Sequence, residues 1–336
     1  MVTQIAYSNE FNQHDNASHP ENAQRLDVMI EEIKKTSFYD KLDFVKPILL
    51  PETKLYSVHS EEMIQQIKNI SIQGESWVDM DTYVCKSDYE TARLAAGGLF
   101  MLCENVSVGK ADNGFALIRP PGHHATKNRS MGFCLFNNAA IAADEISKKG
   151  KKVLIFDCDV HHGNGTQDIF YDRSNVLYQS FHLSPHYPGT GAIDEIGIGE
   201  GEGFTVNAPL SYGNGDKAVA NLLDKIFLPI ADQFKPDFII FSVGYDSHHS
   251  DVLGGLKLTS NFFGKIISSF QKIQPKLVCT LEGGYSLNWI GKCLVSQIGQ
   301  MTYSNVKFND SVDNSLDTSE SLIKSIIEKI GKYWDL

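Results

Sequence analysis

Lys152 to Thr166 reads KVLIFDCDVHHGNGT. Its first half is a short, unbroken apolar run, the pattern of a strand covered on both faces in a parallel sheet. Its second half packs Asp157, Asp159, His161 and His162 into six positions before a glycine turn. A buried strand that ends in acids and imidazoles delivers chemistry to the carboxyl edge of an α/β sheet, where such sheets form their sites.

Working outward, similar apolar runs recur at Gly114–Ile118, Asn175–Phe181, Asp237–Gly244 and Lys276–Gly284. Amphipathic stretches predict helices at Asp88–Glu104, Phe136–Lys148, Asp216–Phe234, Ser260–Lys272 and Leu287–Gln297. This alternation predicts one α/β sandwich. Tyr303–Ser319 is polar and predicts a loop, and Glu320–Trp334 predicts a C-terminal packing helix rather than a second domain. No internal repeat or low-complexity tract is present.

Three further strands carry polar residues to the same rim: Tyr245-Asp246 follows one, Gly283-Gly284-Tyr285 another, and Gly122-His123-His124 a third. In extended backbone, residues two apart point the same way, so Asp159 and His161 can hold one ion with Val160 turned aside. Asp246 can supply a third ligand. Three protein ligands with an open position describe a catalytic zinc site, and an oxygen-rich set also suits Fe²⁺, Co²⁺ or Mn²⁺. A hydrolytic site needs a base for the attacking water and an acid for the leaving group, duties that His123 and His124 can share. A buried His pair bonded to backbone is the structural alternative. Tyr285 reads as a core aromatic or as a donor to a developing oxyanion.

Thirty Lys and Arg against forty-one Asp and Glu leave a net charge of −11, which argues against a general nucleic-acid binder or a polybasic membrane anchor. The six cysteines form no C-x-x-C pair and sit largely in apolar runs, as expected of reduced thiols in a cytosolic-type compartment. The start, MVTQIAYSNEFNQHD, lacks a basic and then apolar leader, and no stretch nears the roughly 20 apolar residues of a spanning helix. Classical export is therefore not expected, although specialised secretion or delivery into a host leaves no such mark.

RPPGHHA (Arg119–Ala125), GFCLFNNAAIAA (Gly132–Ala143), DCDVHHGNGT (Asp157–Thr166), YPGTG (Tyr187–Gly191), GYDSHHSDVLGG (Gly244–Gly255) and LEGGY (Leu281–Tyr285) together resemble the zinc-dependent histone deacetylase superfamily. That superfamily includes the bacterial deacetylase-like amidohydrolases and the acetylpolyamine amidohydrolases. HPENAQRL (His19–Leu26) resembles its N-terminal signature, and RPPGHHA with Asn164 resembles class II. The resemblance spans about residues 5 to 300. It implies a single catalytic domain over 1–336 with an arginase/deacetylase-like three-layer α/β/α sandwich around a mostly parallel eight-stranded sheet.

The same resemblance implies roles. Asp159, His161 and Asp246 would hold Zn²⁺, one per chain, with Fe²⁺ or Co²⁺ as substitutes. His123 and His124 would be the acid/base pair and Tyr285 the carbonyl polariser, a residue that class IIa relatives replace with His. Asp157 would orient His123, and Asn164 would stand behind His124. An amide stabilises an imidazolium less than a carboxylate does, so His124 is expected to be the less basic and the proton acceptor. Phe133 and Tyr187 would line the slot for an acyl-lysine stem, with Tyr187 in place of the more usual Phe. Leu253 stands near the acidic gatekeeper of polyamine-selective relatives, and Asp81 is placed to accept a substrate backbone N–H. Asp157, Asp159, His161, Ser180 and Phe181 match positions that ring a structural K⁺.

These features imply a deacetylase acting on acetylated lysine in peptides or proteins, histone tails among them. An acetylpolyamine or other small-molecule amidohydrolase is the alternative, and a noncatalytic acyl-lysine-binding module is a more distant one. A binuclear manganese hydrolase of arginase type is disfavoured because DCDVHHGNG lacks the D-A-H-x-D spacing. The glycine run IGIGEGEGF (Ile196–Phe204) lies among Glu195, Glu200 and Glu202, which repel phosphate, so a turn or hairpin is expected there. His182, His186, His248 and His249 receive no role from the sequence.

Overall fold

The computed structural model describes residues 1–74, 76–304 and 306–336; Asn305, inside the segment expected to be a loop, lies outside the described residues. Eight strands form the central sheet: β1 (Thr3–Ala6), β2 (Leu42–Val45), β5 (Asn113–Ala116), β6 (Val153–Asp157), β7 (Val176–Leu183), β8 (Thr205–Leu210), β9 (Phe238–Val243) and β10 (Leu277–Leu281). Their order is β2-β1-β5-β10-β9-β6-β7-β8, and every neighbouring pair is parallel. Two short strands, β3 (Ser76–Trp77) and β4 (Tyr83–Val84), make a separate antiparallel ribbon.

The long helices flank the sheet. They are α1 (Gln24–Lys34), α2 (Glu61–Gln73), α3 (Asp88–Ser107), α4 (Asn138–Ser147), α8 (Ser260–Gln271), α9 (Ile290–Met301) and α10 (Ser319–Ile330). Shorter ones are α5 (Asn164–Phe170), α6 (Asp216–Leu222) and α7 (Leu228–Phe234). Helix α9 packs on both α1 and α8, while α2, α3 and α4 form a second group against the strands. The expected three-layer architecture is therefore present. At its centre Phe156 of β6 meets Phe270 of α8 at 4.6 Å and Phe241 of β9 at 5.8 Å, ring centroid to centroid.

Two local outcomes differ from the sequence expectations, and a third agrees with them. Strands β1, β2 and β8 carry no continuous apolar signal: LDFV of β2 is half exposed, and TVNAPL of β8 contains a proline. Asp216–Phe234 is helical throughout, but Leu223–Phe227 widens into a π turn joining α6 to α7. Pro229 has no N–H to give the carbonyl four residues back, and the wider turn accommodates that loss. The Ile196–Phe204 glycine run makes the expected turns; its Gly203 carbonyl accepts Trp334 Nε1–H at 2.7 Å, tying the chain after α10 onto the sheet edge.

All six cysteines are buried. Among the described residues, no helix is long and apolar enough to cross a membrane.

Candidate active site

Strands β5, β10, β9 and β6 are consecutive neighbours in the sheet, and their ends are in register. Ala116, Thr280, Ser242 and Asp157 form one row across them. The four loops that follow therefore start level, and each carries polar residues into the same space. Asp159, His161 and Asp246 place one ligand-type atom each within 4.8 Å of one another. His161 Nδ1 stands 3.0 Å from Asp159 Oδ1 and 3.2 Å from Asp246 Oδ2.

The local backbone holds these carboxylates. Gly283 N–H donates to Asp159 Oδ2 at 2.8 Å, and Val160 N–H donates to Asp246 Oδ1 at 3.0 Å. Asp246 Oδ2, by contrast, is buried, accepts no hydrogen bond and faces the His161 ring across 3.2 Å. A buried unpaired carboxylate oxygen is costly unless a cation completes it. Gly283 is required here, because a β-carbon at that position would collide with the carboxylates of Asp246 and Asp159. Two carboxylates, one imidazole and an orphaned oxygen suit a divalent cation of the Zn²⁺, Fe²⁺ or Co²⁺ type.

His123 and His124 sit beside this group, their rings 4.0 Å apart. His123 Nδ1 is 3.0 Å from Asp157 Oδ2, whereas His124 Nδ1 is 2.8 Å from Asn164 Oδ1. Burial opposes charge on both rings, but the Asp157 and Asp159 carboxylates raise His123 to about 10. Burial and the neighbouring His123 and His161 hold His124 well below the ordinary histidine value.

A pocket of about 250 Å³ opens from these groups to the surface. His123, His124, Asp159, His161 and Tyr285 line its inner part, with Phe133, Tyr187, Leu253 and Asp81 also in its wall. Phe133 takes a left-handed backbone (φ 68°) directly after Gly132 (φ 57°), a conformation costly for an aromatic residue. Its ring meets Tyr285 edge to face at 6.0 Å. Burial pushes the Tyr285 phenol well above its ordinary value, so the hydroxyl stays a donor. Asp157 and Asn164 stand behind the pocket, and Ser180 pairs with Asp157 across β6 and β7. Phe181 is buried, its ring 6.1 Å from Phe156.

Four residues that the sequence left without a role shape this site. Glu282 accepts the backbone N–H groups of Gly122 at 2.7 Å and His123 at 3.1 Å, and Ser242 Oγ–H at 3.0 Å. Buried Arg25 donates to the carbonyls of Gly284 at 2.7 Å and Glu282 at 2.6 Å, and its guanidinium lies 5.0 Å from the Tyr285 ring centre. Asp251 accepts the Tyr285 N–H at 2.6 Å. His186 stacks on His161 at 4.9 Å and donates Nε2–H to the Leu253 carbonyl at 3.0 Å. Glu282 and Arg25 fall inside LEGGY and HPENAQRL, the signal by which the sequence could have found them. His248 and His249 lie outside the pocket, both bonded to Asp310 from the segment expected to be a loop, at 3.0 and 2.7 Å.

The histone deacetylase domain profile matches residues 19–301. The chain is 37% identical over 296 residues to a probable deacetylase of Archaeoglobus fulgidus, covering 85% of this chain and 82% of that one. It is 43% identical over 247 residues to histone deacetylase 15 of Arabidopsis thaliana, covering 72% of this chain but 45% of the longer plant protein. The solved structure of the HDA15 HD domain superposes with a TM-score of 0.93 at 34% identity, covering 99% of this chain and 95% of that one. The motifs, the parallel eight-stranded sheet and these matches agree: the chain belongs to the histone deacetylase family.

Proposed function

We propose that the chain is a zinc-dependent deacetylase of N-ε-acetyl-lysine in peptides or proteins, histone tails being one candidate substrate. The observation that carries this is the convergence of Asp159, His161 and Asp246, whose buried Oδ2 accepts no hydrogen bond, at the inner end of a pocket shared with two histidines and a tyrosine. Asp159, His161 and Asp246 would hold the cation, one per chain. When bound, such a cation supplies Lewis acidity to an amide carbonyl and to an attacking water.

The chain's own residues do the rest. With Nδ1–H given to Asn164 Oδ1, His124 keeps a lone pair on Nε2 to accept a proton from water. His123, whose Nδ1–H faces Asp157, keeps its charged form and offers Nε2–H to the departing amine. Tyr285 donates its hydroxyl hydrogen to the carbonyl oxygen as negative charge gathers there. Phe133 and Tyr187 present aromatic faces to the methylene stem, and Asp81 accepts a backbone N–H outside it. Leu253 gives a polyamine's distal ammonium no charge to meet, which favours lysine over polyamine substrates. By family resemblance, K⁺ bound around Asp157, Asp159, His161, Ser180 and Phe181 would brace the loop after β6.

The test is turnover of a panel of acetyl-lysine peptides and acetylspermidine, with and without chelator, alongside metal analysis. Chelator-sensitive turnover of the peptides is expected. Metal-independent turnover, or turnover of the polyamine alone, would overturn this function.

A further inference from the structure

A second pocket, of about 350 Å³, is lined by Asp15, Asn16, Ser76, Trp77, Tyr83 and Cys85, with Val84 between the last two. It is close to the catalytic pocket. The His19 ring touches Phe133 of the catalytic wall at 4.5 Å, and also Tyr83 at 4.9 Å and Trp77 at 6.1 Å. His19 thus touches walls of both pockets, and Asp81 and Tyr83, two residues apart, line one each.

The lining has a definite chemistry. Trp77 is 50% exposed, so its indole is open to a ligand, and the β3–β4 ribbon fixes it against Tyr83. Asp15 Oδ1 accepts the Ala23 N–H at 2.8 Å, which anchors the carboxylate at the pocket wall. Lys86, the basic residue nearest in sequence, lines a different groove with Ser87 and Tyr89. Among the described lining residues the charge is therefore a single carboxylate. An open indole, a carboxylate and an amide around a small void match a guanidinium or ammonium group, through cation–π attraction and charge-assisted hydrogen bonds. The net charge of −11 adds attraction for a basic peptide.

We infer that this side pocket receives the side chain of a basic residue, Arg or Lys, two or three positions from the acyl-lysine held in the catalytic pocket. An extended peptide advances about 3.3 Å per residue, which spans the His19 wall in that many steps. The inference rests on the deacetylase function proposed above and names the sequence context of its substrate.

The test compares kcat/KM for acetyl-lysine peptides carrying Arg, norleucine or Glu singly at each of the three positions on either side, using wild type, Trp77→Ala and Asp15→Asn. At one position two or three residues from the acetyl-lysine, Arg should exceed norleucine by about five- to tenfold at low salt, and the advantage should shrink in high salt. Each variant should lose most of that advantage while turning over the norleucine peptide within about twofold of wild type. Equal or reversed rates for Arg and norleucine, or a preference that survives in both variants, would overturn the inference. Absence of turnover on every peptide would overturn the deacetylase function itself, whereas turnover without charge discrimination would overturn only the side pocket.

Discussion

Glu282 Oε2 accepts the backbone N–H of His123 at 3.1 Å, so the loop after β10 grips the loop after β5 from beneath. The same carboxylate holds Gly122 N–H and Ser242 Oγ–H, which joins three of the four neighbouring strand ends through one side chain. Burial pushes this carboxyl up to about 7, against the opposing pull of the His123 charge and of the N–H donors.

Replacing Glu282 with Leu leaves those three buried donors unpaired, which should cost about 2–4 kcal/mol of stability. Glu282→Gln keeps one acceptor and should cost less. Urea-denaturation midpoints measure both, and a Leu variant as stable as wild type would show that the three strand ends hold without this carboxylate.

Tyr285→Phe removes the hydroxyl and keeps the ring against Phe133 and Arg25. Turnover of an acetyl-lysine peptide should fall by roughly 10²–10³ in kcat with little change in KM, because the hydrogen bond strengthens as charge develops on oxygen. Steady-state kinetics decide it; wild-type kcat would remove Tyr285 from the chemistry.

Asp246→Asn separates metal binding from folding. Asn keeps the oxygen that accepts the Val160 N–H, so the metal-free protein loses mainly the charge that faces His161 across 3.2 Å. Zinc stabilises wild type by mass action, raising its Tm as metal is added to chelator-stripped protein. Measured from its own metal-free Tm, the variant should lose most of that rise. An equal zinc-induced rise in both proteins would place the ion elsewhere.

His59 predicts an acid limit on stability. Its Nδ1–H donates to the Thr126 carbonyl and its Nε2 accepts the Asn137 N–H, both at 2.9 Å, so protonation must break the second bond. Burial lowers its pKa from 6.5 to about 4. Between those values the unfolded chain binds the proton and the folded chain does not, so stability is full above about pH 6.5 and falls as pH drops toward 4. The loss from His59 is about 3 kcal/mol. His248, held near 4 by burial, adds a slope of the same sign. Denaturation curves at pH 7.5 and 4.5 should differ by less in His59→Gln than in wild type; an unchanged difference would refute the assignment.

The legible parts of this protein are those whose signal is local. Apolar runs mark β5, β6, β7, β9 and β10 because strands covered on both faces need them. Edge strands β2 and β8 face solvent or carry proline, and β1 is four residues long, so their runs are mixed. The spacing of Asp159 and His161, the His123-His124 pair and the tyrosine after two glycines are local too, and they are the sequence's argument for metal-assisted hydrolysis.

What the tertiary structure alone decided is which distant groups finish the site. Glu282 meets His123 across 159 positions and Arg25 meets Gly284 across 259, separations at which no local pattern constrains the partner. His186 comes to rest on His161, and Trp77 comes to flank His19, only once the loops have closed over the sheet. The amino-acid order determined the candidate reacting groups because strand periodicity aims side chains over two or three residues. The register of four parallel strands determined their convergence, because only the folded sheet sets their ends level.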